Sequence, residues 1–425
     1  MKMFRLLALA ALGGVQLLAV PAWSRLTGSS CATCHAVPTW QLNSYGLEFL
    51  KNGHRTEATK VEAKDQKLEN YISLVWKGRA YGDTLDTART GNTTTQKPYS
   101  QIEQHSFSLY TGGALSDRVS YFTELYLSEN AGQTNGAYVT SQSEAGRKKL
   151  AEAFLQYNQP LGKDMFLSVR MGEILPGILH VFGVGARSAE QRAVVLNDPL
   201  AAPQNVPSNT FRPFSRQSGI DTTLNMKQFE FSVGVVNGSN TSVTNAIDAD
   251  NHKDWFASAL WNFDKNNSAV GFYHYDGQYS NYATKDDFST ALTFDNKFKK
   301  DGLLARYIYG MGRVVGAYFV GEETMNLAGT KTKNKGYYLL SDFNVNEFFG
   351  VYGRYDFVDP NKDLAMNEVK QILLGFNGLL FQSDKSGARW NLELSQKKTG
   401  NGNISTVGTT EYTDKRAFFQ ITWGF

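Results

Sequence analysis

Cysteine is almost missing from this chain of 425 residues: there are two, Cys31 and Cys34, so no disulfide framework holds the long remainder. Proline is scarce, at 10 residues, and it does little to interrupt extended segments. Beyond the N-terminal leader no run of about 18 apolar residues occurs, which excludes a transmembrane helix. Neither sign of charge dominates: 43 Lys and Arg face 40 Asp and Glu, for a net +3. The electrostatic footprint of a nucleic-acid binder is therefore missing. What the chain has in quantity is 39 Gly, 27 Phe and 21 Tyr.

The first residues carry Lys2 and Arg5, followed by an apolar stretch from Leu6 to Val20 broken only by Gln16. Val20-Pro21-Ala22 supplies small residues for cleavage, which we place after Ala22. Residues 1–22 thus read as a secretory signal peptide, since the apolar core is too short to span a bilayer.

Both cysteines lie in Cys31-Ala32-Thr33-Cys34-His35, soon after this leader. Two thiols in this spacing with a histidine directly after the second form the attachment pattern for one covalent c-type haem. The thiols become thioethers and His35 is the proximal iron ligand. A redox CxxC lacks its βαβ context here, and a zinc site lacks further Cys or His at short spacing. The motif makes electron transfer the first function to consider. Residues 23–68 read as a monohaem segment and linker, with one short helix over Trp40 to Asn52 whose apolar stripe is Leu42, Tyr45, Phe49 and Leu50. The segment from His54 to Asn70 reads as a charged linker.

From residue 69 to 425 the dominant pattern is alternation with a period of two. Ala417, Phe419, Ile421, Trp423 and Phe425 point one way, with Gln420, Thr422 and Gly424 opposite. The spacing predicts strands at 69–81, 100–112, 119–128, 148–159, 165–173, 218–226, 228–238 and 254–263. It continues with 268–276, 303–310, 314–323, 336–345, 348–357, 368–380, 388–397 and 415–425. Connections at one end, such as 113–118 and 346–347, are short, while those at the other, such as 82–99 and 174–217, are long. Aromatic-rich alternating strands with this asymmetry predict an all-β fold, a transmembrane antiparallel β-barrel of about 16 strands in the outer membrane of a Gram-negative cell. Thr290 to Phe298 is the one place where a further strand pair fits. Residues 174–217 form the longest connection and read either as an inward constriction or as a surface lid.

A single helix and a linker bury too little surface to enclose a haem alone. A barrel of this size has a lumen that a small segment can plug. We therefore expect Cys31 to Gly53 to fold into the barrel as a short helical plug, with the wall completing the pocket.

The N-terminal region resembles the fused cytochrome–porins of bacterial outer membranes, the iron-oxidase-like proteins of iron-oxidising bacteria. The likeness is carried by Arg25-Leu26-Thr27-Gly28 before the haem motif and by Pro38, Leu42, Tyr45-Gly46, Phe49, Lys51 and Gly53 after it. Leu26 stands where the family has Gln, Leu47 where it has Arg, and His54 where it has Tyr. The likeness is close over this stretch and architectural elsewhere. It implies haem on Cys31, Cys34 and His35 and electron transfer between extracellular Fe(II), or another external donor, and a periplasmic c-type cytochrome. The implied reaction is of the iron:cytochrome c oxidoreductase type. The alternatives are a diffusion porin for small solutes with a haem-bearing plug or sensor, and the same conduit run outward to an external acceptor.

Of the six histidines, His54 is the nearest in sequence to His35 and is the candidate second iron ligand. His274 alternates with Phe272 and Asp276 and is expected to face the lumen, opposite Tyr273 and Tyr275. His105 shares a face with Phe107 and Leu109, which predicts the lipid side; His180 and His252 fall in external loops. Arg25 is a candidate partner for a haem propionate.

Overall fold

The computed structural model describes residues 21–60, 70–89, 92–95, 99–129, 150–183, 185–197, 212–213, 215–238, 252–282, 292–325, 330–365, 367–382, 386–400 and 409–425. The expected leader falls almost wholly outside them. Sixteen antiparallel strands follow one another around a closed barrel, and the last pairs with the first. They are β1 (Ile72–Arg89), β2 (Tyr99–Ala114), β3 (Val119–Glu129), β4 (Leu150–Gly162), β5 (Met165–Ile174), β6 (Gln217–Met226), β7 (Phe229–Val236) and β8 (Asp254–Asn262). The second half comprises β9 (Ala269–Tyr282), β10 (Leu292–Tyr309), β11 (Gly312–Met325), β12 (Thr330–Asn344), β13 (Phe349–Asp359), β14 (Val369–Gln382), β15 (Gly387–Thr399) and β16 (Thr409–Gly424). A short return strand, Asn92–Thr95, pairs back on the outer end of β1.

Each expected strand is present, and several run further toward the long-connection end than the alternation suggested. The extra strand pair at Thr290 to Phe298 is not formed: Leu292–Tyr309 is one continuous strand. Its outer part exposes Lys297 and Lys299, so the lipid-facing apolar alternation fades there while backbone pairing continues.

The outer face is apolar. Val233, Leu303 and Ile372 are 57%, 57% and 63% exposed, which is tenable where lipid replaces water. The opposite face of the same strands is buried, as Ser232, Leu304 and Gln371 show. A one-residue slip would exchange the two sets, so register is strongly fixed. No helix among the described residues is long and apolar enough to cross a membrane; the crossing is made by strands.

Two segments fill the lumen. The described part of the connection after β5, through residue 197, folds inward, with α4 (Ile178–Val181) and α5 (Val194–Asn197). Its Leu175, Leu179, Phe182, Val195 and Leu196 pack with Tyr273, Tyr275, Phe319 and Tyr338 on the barrel's inner face. The Tyr338 hydroxyl donates to the Phe182 carbonyl at 2.7 Å, and Asn391 Nδ2 donates to the Ser188 carbonyl at 3.0 Å. Of the two readings of this segment, the inward constriction is the one observed. The apolar clothing it gives Tyr273 and Tyr275 reverses the expectation for His274. Both tyrosines point inward, and His274 lies on the other face, its Nδ1 2.7 Å from Asp301 Oδ1.

The second filling is the N-terminal plug: α1 (Pro21–Thr27), α2 (Cys31–Cys34), a two-residue ladder pairing His35 with Leu42, and α3 (Ser44–Lys51). The helix starts later than Trp40 because Trp40 has a left-handed φ of 66° and Gln41–Leu42 is engaged in the ladder. Asn43 then caps it, its Oδ1 accepting from Gly46 N at 3.0 Å. Phe49 is buried, but Tyr45 is exposed. His54 and Arg55 are not linker residues; both are buried, and Arg55 Nη1 donates to the carbonyls of Ser116 and Asp117 in the β2–β3 turn, each at 3.0 Å.

On this side the plug is also held by β4, where Asn158 Nδ2 donates to the Asn52 carbonyl at 3.0 Å. On the other, Gln41 Nε2 donates to Asp342 Oδ2 on β12 at 2.7 Å. These strands lie on opposite walls of the barrel, so the plug spans its mouth at the short-turn end.

Candidate functional site

A cavity of about 620 Å³ lies between the plug and the barrel wall, within the ~300–1,000 Å³ usual for ligand sites. The plug contributes Trp23, Cys34, His35, Trp40, Phe49 and His54; β1, β2, β3, β15 and β16 contribute much of the wall. Its lining runs from Thr422 and Gly424 near the short-turn end to Lys397 and Asp414 near the other.

Cys31 and Cys34 sit on the single turn of α2, and no disulfide joins them. Helix α3 packs directly against this turn. The Cys34 carbonyl occupies the space where a side chain on Gly46 would begin, and Asn43 Nδ2 donates to the Thr33 carbonyl at 3.0 Å. Burial, reinforced by the Cys31 sulfur, pushes the Cys34 thiol up to about 11. The thiol therefore stays protonated at neutral pH and is a poor metal-binding thiolate.

His35 Nδ1 lies 2.9 Å from the Trp40 carbonyl. A carbonyl can only accept, so Nδ1 carries the hydrogen and Nε2 keeps its lone pair. The ring stacks on Trp40 at 4.7 Å, and the Arg389 guanidinium covers the same indole. Burial pulls the imidazole down to about 4, with Arg389 reinforcing it and the Trp40 hydrogen bond opposing it. The ring is thus neutral and oriented by its second nitrogen, as a ligating histidine requires.

His54 lines the same cavity, clasped between Trp23 at 4.8 Å and Phe122 at 4.4 Å. Its φ is 61°, and its Nδ1 is buried without a hydrogen-bond partner. Burial, with His180 and Arg170 adding to it, pulls its ring down to about 3. Arg25 is not brought to the cavity; its Nη2 donates to the Ile72 carbonyl at 2.8 Å and ties α1 to the start of β1.

Two further histidines line the cavity, and sequence reasoning had put them elsewhere. His180 is on the inward segment, 3.9 Å from Glu152. His105 is turned inward by a β-bulge: Lys77 pairs with Ser106 and Gly78 with Gln104, leaving His105 as the extra residue. A bulge reverses the inside-outside parity of a strand, and nothing in the alternation announces it. Four of the six histidines thus border one space.

Solved structures of similar fold include a porin, an outer-membrane protein and an outer-membrane channel. The anion-selective porin from Comamonas acidovorans aligns with a TM-score of 0.55 at 13% identity, over 83% of this chain and 99% of that one. The barrel has the porin fold. OmpT of Vibrio cholerae gives 0.51 at 12% identity, over 83% of this chain and 97% of its own. The DcaP channel of Acinetobacter baumannii gives 0.52 at 11% identity, again over 83% and 97%. No family model matches the sequence, and no curated protein matches it by sequence. A closed porin barrel with an apolar exterior satisfies all its backbone groups internally and spans a bilayer, which in Gram-negative cells is the outer membrane.

The site can hold a haem by the chemistry of its donors. A neutral His35 offers Nε2, two thiols lie on the adjoining turn, and His54 presents an unpartnered buried nitrogen among aromatic rings. Arg79, Arg216, Arg389 and Arg416 on the lining suit propionate carboxylates.

Proposed function

We propose that this protein is an outer-membrane electron conduit carrying one covalent c-type haem on Cys31 and Cys34, with His35 as proximal ligand and His54 as the second. Its external donor is ferrous iron, and its acceptor is a periplasmic c-type cytochrome at the short-turn mouth. The observation that carries this reading is the cavity shared by Cys34, His35, His54 and the inner wall of the barrel. A bound haem supplies reversible one-electron chemistry. The residues around it do the rest. Trp40 fixes the His35 tautomer, the aromatic ring set of Trp23, Phe49 and Phe122 keeps bulk water from His54, and the basic residues answer carboxylate charge. Oxidising iron outside the cell keeps the insoluble ferric product out of the periplasm.

The test is stopped-flow mixing of purified, detergent-solubilised protein with ferrous iron, followed at the Soret band. The expected result is reduction by ferrous iron in the native chain and no haem band in Cys31→Ser. Prompt reduction by dithionite with none by ferrous iron, free or chelated, at any pH overturns the iron assignment. High conductance in planar bilayers, unchanged in Cys31→Ser, favours a diffusion porin instead.

A further inference from the structure

The cavity lining is uneven in charge. Eight Lys and Arg line it against four Asp and Glu. In its ion pairs, moreover, the cation is the partner that faces the lumen. Lys77 keeps 23% of its side chain exposed and Glu190 keeps 1%. Arg416 and Asp83 divide 26% to 3%, and Arg216 and Glu124 divide 17% to 8%. Asp83 is not on the lining at all; it sits behind Arg416, accepting from its Nε at 2.8 Å. A solute in the lumen therefore meets more ammonium and guanidinium surface than carboxylate surface.

These cations mark a lane. From Thr422 to Asp414 along β16 is roughly 27 Å of strand at about 3.4 Å per residue, and Arg416, Arg79, Lys77 and Arg389 are distributed over that wall and its neighbours. A hydrated dication entering it is repelled, whereas an anion is concentrated. Guanidinium forks add directional recognition of carboxylates.

We propose that the lumen takes small polycarboxylate anions, and that external iron reaches the haem motif as an anionic carboxylate chelate rather than as the hydrated ion. The redox half of this rests on the electron-conduit reading; the anion preference does not. In the transfer, one electron leaves the chelated ferrous ion for the haem, the ion becomes ferric, and no bond breaks and no proton moves. The ferric product leaves inside its ligand shell and does not precipitate in the barrel.

The test uses full-length, detergent-solubilised holoprotein and two readouts. By calorimetry at low salt, citrate binds, and hexaamminecobalt(III), a cationic probe, does not. Citrate binding is about tenfold weaker in Lys77→Gln, as expected for loss of one charge-assisted contact, and is kept in Lys77→Arg. The double variant Arg416→Gln/Asp83→Asn, which removes the charge of Asp83 together with that of its partner, is weakened in the same way. In stopped flow, reduction by ferrous citrate slows as salt is raised, because screening removes the attraction. Failure of citrate to bind, equal binding in Lys77→Gln, or equal binding of the cobalt complex overturns the proposal. If citrate binds as described but no ferrous species reduces the haem, the conduit's donor is wrong and the anion preference stands. If hydrated ferrous iron reduces the haem and citrate does not bind, the conduit stands and the anion preference falls.

Discussion

Gly46 presses against the carbonyl of Cys34 so closely that a methyl group on it would share that oxygen's space. The helix after the haem motif and the turn bearing it are therefore positioned by the lack of a side chain. Gly46→Ala should force them apart at about 1–3 kcal/mol, the usual cost of overpacking. The barrel's strand pairing does not use this contact, so the variant should still show heat-modifiable gel mobility. The plug should become protease-sensitive, and covalent haem per barrel should fall; an unaltered haem content would show that this contact is not needed.

Arg55 is fully buried, and its guanidinium bonds to the carbonyls of Asn52, Ser116 and Asp117. Arg55→Ala removes all three, two of them to carbonyls of the exposed turn. With roughly 1.5–3 kcal/mol for each hydrogen bond to a charged group, the plug's hold on the β2–β3 turn should fail. Single-channel recording checks this: the variant should flicker to open levels that the native protein lacks.

Glu190 joins the inward segment to the wall through Lys77 and Arg389. Burial alone would raise its carboxyl, but Lys77, Arg389 and Arg187 outweigh burial and hold it well below its ordinary 4.5. A depressed value means that the ionised group stabilises the fold above the unfolded value and that this is lost as pH falls through the folded one. The segment should stay docked at pH 5 and loosen only well below 4.5. In Glu190→Gln it should be loose at neutral pH, by about 3–5 kcal/mol for a broken buried pair. Limited proteolysis within residues 185–197 reads both states.

His54→Ala should convert a six-coordinate ferric haem into a five-coordinate, high-spin one, seen in the optical and electron paramagnetic spectra. An unchanged spectrum would assign the sixth position elsewhere, with His180 on the same cavity the next residue to substitute.

The barrel was legible because lipid on one side and lumen on the other force a period of two, and loop lengths sort the two ends. The haem reading of Cys31 to His35 rests on local spacing alone. What stayed hidden depends on contacts between distant parts of the chain. Tyr273 and Tyr275 read as an outer face until the inward segment, with Leu179 and Phe182, gives them an apolar partner inside. His105 reads as lipid-facing until one unpaired residue reverses the strand's parity. His54 reads as linker because burial by Trp23 and Phe122 is not encoded nearby. Arg25 was a reasonable propionate partner by proximity in sequence, but its side chain is spent on Ile72.

Phe425 and Leu74 exchange backbone hydrogen bonds of 2.8 and 2.9 Å, and two residues earlier Ile72 receives Arg25 from the plug. The seam that zips the cylinder shut and the hinge that suspends its stopper are therefore neighbours on one strand. A lesion at this spot has two phenotypes at once: a faulty closure looks like a lost stopper, and a lost stopper looks like a leak. Genetic screens for permeability in this protein will gather hits here whichever of the two has failed.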